Sequence, residues 1–154
     1  MVLRFTQLLG VLIAALTLST PAVFAQGGEA GEVTRNAVQA MQRVTEHTID
    51  DIQAAAARGI AEIQTLDANG APDRQIIAAA HRASHAIARQ AGQGNRRINM
   101  IAARAFWQLD NLDADRRFFQ IVREAASRSH DAIGTSKRRA DHAVRVALNE
   151  ALDG

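Results

Sequence analysis

The stretch that decides the fold runs from Val38 to Gly70 and reads VQAMQRVTEHT, IDDIQAAAARG, IAEIQTLDANG in three consecutive blocks of eleven residues. The blocks align without gaps. Their first positions are Val38, Ile49 and Ile60, their fourth Met41, Ile52 and Ile63, their fifth Gln42, Gln53 and Gln64, and their seventh Val44, Ala55 and Leu66. Eleven residues in three turns is about 3.67 per turn, so an apolar stripe at this spacing stays on one face of a long α-helix with little supercoil.

The spacing continues beyond the blocks. Ile76, Ile87, Ile98 and Leu109 lie eleven apart, with Ile101 and Leu112 repeating the I-x-x-I pattern. A third segment sets Val122, Ile133 and Val144 on one column and Phe118, Ser129, Ala140 and Ala151 on another. Period-two alternation and β-branched runs are missing, which excludes strands. Between the segments, Asp67-Ala-Asn69-Gly70-Ala-Pro72-Asp73 supplies a helix-ending glycine and then a proline suited to a first turn. Asp110-Asn111-Leu112-Asp113-Ala114-Asp115 offers amino-terminal caps for a helix entering at Arg116. The expected helices are 32–67, 72–110 and 114–152. Links this short force neighbours to be antiparallel, so the expected fold is all-α, an elongated antiparallel bundle of three long amphipathic helices with hendecad periodicity.

Gly92-Gln93-Gly94-Asn95 is a soft spot, but the Ile87 to Ile98 spacing keeps phase across it, so the second helix is read as continuous. Folding about Leu112 sets Gly92 level with Gly134, where a close helix approach is expected, with a hinge at both as the alternative. Charge is unevenly distributed. Residues 26–69 hold three Arg and seven acids, 70–112 six Arg and two acids, and 113–154 eight cations and seven acids. An acidic helix beside a basic one favours their antiparallel pairing.

Residues 1–25 are set aside as a cleaved signal peptide: Arg4 gives a positive start, Leu8 to Leu18 an apolar run, and Val23-Phe24-Ala25 a small-residue cleavage site. The run is short for a bilayer-spanning helix, which needs roughly 20 residues. Gln26 to Gly31 is expected as a flexible tail, and 32–154 as one domain. The destination is therefore export, to a periplasm or the medium. The chain has no Cys, so disulfides, a thiolate zinc site and a Cys nucleophile are excluded. With net charge +2, global charge favours neither nucleic acid nor a strongly anionic partner.

His81 and His85, spaced i and i+4, share a helix face, and the same folding sets His142 near their level, a candidate metal site of three imidazoles. No H-E-x-x-H pattern accompanies them. Ser129-His130-Asp131 spells a triad in a row, but successive helical residues point about 100° apart, so it cannot form a relay. No phosphate loop or nucleophile elbow is present, a small-molecule substrate is not expected, and no cofactor is expected. Phe106, Trp107, Phe118 and Phe119 gather around the second turn, where they either plug the bundle end or form an exposed tip that docks on a partner or a membrane interface. Arg96-Arg97, Arg116-Arg117 and Lys137-Arg138-Arg139 are basic clusters without an interleaved aromatic platform, a weak pattern for nucleic acid.

Over Val38 to Gly70 the repeat resembles that of exchangeable lipid-binding helices such as apolipoproteins, and that of long right-handed coiled coils. The resemblance covers period and architecture and carries no residue roles. The stripe here is narrow and rich in Ala, which favours helix–helix packing over a lipid surface. The expected function is a non-enzymatic exported structural or protein-interaction module, with self-association as one form. A lipid- or envelope-surface binder is the first alternative, and a metal-binding protein using the three histidines the second.

Overall fold

A computed structural model describes residues 28–153. The expected signal peptide, with Gln26 and Gly27, lies outside the described residues. Three helices follow one another: α1 Gly28–Ala68, α2 Asp73–Asn111 and α3 Arg116–Leu152, each packing against both others. Among the described residues there is no strand. The fold is the expected all-α three-helix bundle.

The repeat marks the centre of the core. Met41, Ile52 and Ile63, the fourth column of the three blocks, are completely buried, as are Ile87, Ile98 and Leu109 on α2 and Val122 on α3. The glutamine column, by contrast, lies along the margin, with Gln42 and Gln53 half-buried and Gln64 exposed. Side chains between the columns are mostly alanines, which let three thin helices approach closely while still removing apolar surface from water. Midway along, the core turns polar. Thr45, Thr48 and Ser129 are buried, and the two threonine hydroxyls donate to the carbonyls of Met41 and Val44, 2.8 and 2.7 Å away, which satisfies them within their own helix.

α1 begins at Gly28, ahead of the expected start, so residues 28–31 are helical and not a tail. Gly31 and Thr34 are buried, Ala30 and Val33 pack against the core, and the Thr34 hydroxyl donates to Ala30 O at 2.8 Å. Tertiary packing of this extra turn overrides the poor helical propensity of its glycines.

Close approach does occur, but not where Gly92 and Gly134 predicted it. A methyl built on either glycine meets nothing nearer than a guanidinium of its own helix, that of Arg96 at 3.8 Å or Arg138 at 3.6 Å. The tight contacts are between α1 and α2: Gly59 lies against Ala83, and Gly94 against the Thr48 side chain, whose Cβ is 2.9 Å from where a Gly94 methyl would stand. Helix 2 is continuous through this region, as the phase argument required. Gly94 is one side of an inter-helix fit that keeps α1 and α2 in register, so it is no interruption.

Both turns use the same device. At the end of α1, Ala71 N–H donates to Leu66 O at 3.0 Å and Gly70 N–H to Asp67 O at 2.8 Å, with Gly70 left-handed at φ 64°. At the end of α2, Ala114 N–H donates to Leu109 O at 3.0 Å and Asp113 N–H to Asp110 O at 3.1 Å, and Asp113 takes the left-handed position at φ 47°. The Asp115 carboxylate then caps α3, accepting from Arg117 N–H at 2.9 Å.

Candidate docking surface

The second turn separates the four aromatics into two groups. Phe118 is in the core with the Arg117 guanidinium 4.8 Å above its ring, and Phe106 and Phe119 stack with centroids 6.0 Å apart and planes 13° apart, both half-buried. These three plug the bundle end. Trp107 does not, being 68% exposed. The cause is helical geometry: Ala105 and Leu109 face the core, and a residue between them on the far side of the α2 wheel must face out.

Trp107 has company on that side. Met100, about two turns earlier, is 67% exposed and lies within about 20° of Trp107 on the helical wheel. The same outer strip carries Arg89, Arg96 and Arg104, with Arg97 on its flank and Ala103 between, all exposed. From Arg74 to Leu109, α2 contains six arginines and no Asp or Glu. Among the described residues, Arg82 is the one of the six with an ion pair, to Glu62 on α1 at 2.6 Å with both side chains about half exposed. A pair so solvated contributes at most about 1 kcal/mol. The charge imbalance between α1 and α2 therefore stabilises their contact only slightly, and most of the positive charge of α2 points outward.

Sequence reading singled out Trp107 and the Arg96-Arg97 cluster separately. It missed Met100, and it did not join tryptophan, methionine and arginines into one face, although their spacings of three, four and seven residues carry that signal.

The histidines are not gathered. His81, His85 and His142 are all exposed, and among the described residues no group of three or more His, Cys, Asp or Glu is placed to hold a metal ion. Ser129, His130 and Asp131 diverge as their helical positions require. Ser129 is buried and Asp131 exposed, and His130 bridges to α2, its Nδ1 2.9 Å from Asn95 Oδ1 and its Nε2 2.9 Å from Asn99 Oδ1. That bridge ties α3 to α2 close to the expected register. At the opposite end, a cleft of about 430 Å³ is lined by Leu66, Arg74, Gln75, Ala78 and Arg82, a set without a nucleophile or a general base.

No known protein family, curated protein or solved structure matches the chain. Among the described residues, no helix is long and apolar enough to cross a membrane.

Proposed function

We propose that this chain is a non-enzymatic exported helical module that works by docking, with the outer face of α2 around Trp107 and Met100 as its principal contact. The observation that carries the reading is the exposure of Trp107 on a bundle whose core is complete without it. An exposed tryptophan beside an exposed methionine leaves apolar surface in water that a partner can cover, and tryptophan is the residue type most enriched where binding energy concentrates. Rigid helices suit the role, since a docking face that is already ordered avoids an entropy cost on binding.

A photo-crosslinking residue at position 107, introduced in cells that export the protein, tests this. Discrete adducts at 107, absent when the same residue stands at the exposed Arg43 on α1, are the expected result. The same faint, diffuse adducts at both positions would refute a dedicated docking face. Adducts of twice the protein's own mass would identify self-association as the form that docking takes.

A further inference from the structure

Resting on that docking reading, we infer that the partner of the α2 face is an anionic lipid surface, on which the closed bundle lies with α2 downward. Arg89 to Trp107 spans about 27 Å along the helix at 1.5 Å per residue. Over that length the outward strip presents Arg89, Arg96, Met100, Arg104 and Trp107, each exposed, while Arg82, about two turns earlier, turns to Glu62 on α1. Its first acidic residue is Asp110, beyond the tryptophan, and acidic residues are absent from all of 74–109. A straight cationic ridge of this length matches an extended plane of negative charge better than it matches a compact acidic protein patch.

The apolar members specify lipid among anionic surfaces. Met100 stands between Arg96 and Arg104 and Trp107 one turn past Arg104 on a convex single-helix ridge, so the two reach the acyl boundary of a bilayer while the guanidinium groups remain at headgroup level. Trp107 is the one Trp of the chain and the only aromatic on the strip, so nucleic acid would find no run of stacking platforms. Net charge does not carry the attraction, because it is only +2. The attraction comes from segregating cations onto one face of α2, while fourteen of the sixteen acids lie outside 70–112, seven in 26–69 and seven in 113–154.

The test uses the exported protein, its first residue read by mass spectrometry, with vesicles of phosphatidylcholine alone or mixed with phosphatidylglycerol. Flotation with the phosphatidylglycerol vesicles, a blue shift of Trp107 emission, unchanged far-UV circular dichroism and release by high salt are expected. R96Q/R97Q/R104Q should weaken flotation about a hundredfold, since each cation near anionic lipid contributes roughly a fivefold change in affinity. R123Q/R139Q/R145Q removes the same charge from exposed positions of α3 and should weaken it by no more than about tenfold. Equal losses in the two triple variants, equal flotation with phosphatidylcholine alone, or no flotation would each overturn the inference. So would displacement by duplex DNA at matched phosphate concentration, with Trp107 emission following the DNA. If flotation fails while position 107 still gives discrete crosslinks, the lipid assignment falls and the docking reading stands. If both fail, so do both readings.

Discussion

Replacing Gly59 by Ala probes the packing of α1 on α2 most sharply. The methyl would overlap the Ala83 Cβ, with the Ala83 backbone Cα 3.4 Å behind it, so no flexible side-chain end can yield and the helices must part. Overpacking of this kind costs about 1–3 kcal/mol, and the upper half applies where backbone is the obstacle. Alanine returns about 1 kcal/mol of helix propensity over glycine. The net destabilisation is therefore about 1–2 kcal/mol, a fall in Tm of roughly 4 °C per kcal/mol for a domain of this size. Ala83→Gly loses the propensity and a buried methyl, again about 1–2 kcal/mol. The double variant moves one methyl from α2 to α1, so both penalties largely cancel and its stability should return to within about 1 kcal/mol of the parent, a coupling of about 2 kcal/mol. Urea unfolding followed by far-UV circular dichroism measures all four proteins. A Gly59→Ala variant as stable as the parent, or two single effects that simply add, would refute the close approach.

Ile98→Ala should cost about 2–4 kcal/mol by the same urea assay, because the side chain is fully buried at the centre of the α2 column. Gly70→Ala should cost about 1 kcal/mol and Asp113→Gly should gain up to about 1 kcal/mol, since both positions are left-handed and only the first already has glycine. Trp107→Ser should change stability by less than about 0.5 kcal/mol while abolishing the discrete crosslinks made by a photo-crosslinking residue at the exposed position 103 of the same face. Stoichiometric zinc should leave the melting temperature unchanged, because His81, His85 and His142 do not converge.

The apolar columns were legible because burial repeats at a period set by the helix itself. Met41, Ile52 and Ile63 read as core from spacing alone, and all three are completely buried. Spacing does not give the rotation of one helix about its axis relative to another. That is why the tight contacts fall at Gly59 and Gly94, while Gly92 and Gly134 meet only an arginine of their own helix. The start of α1 was missed for a related reason, since Gly31 is helical only because the rest of the bundle covers it. At the candidate site, composition grouped the four aromatics by position in the chain, whereas the helix divides Phe106 from Trp107 by one residue's turn. The histidines were matched by height along the bundle alone, and among the described residues no metal-holding group forms from them, all three being exposed.

The exposure of Trp107 on a finished bundle is the central claim, and its fluorescence tests it most directly, because no other Trp and no Tyr contributes. In buffer at low protein concentration the account predicts a red, water-exposed emission that acrylamide quenches freely, with full helicity by circular dichroism. A blue, protected emission that persists at every dilution would place Trp107 inside the fold and contradict the account.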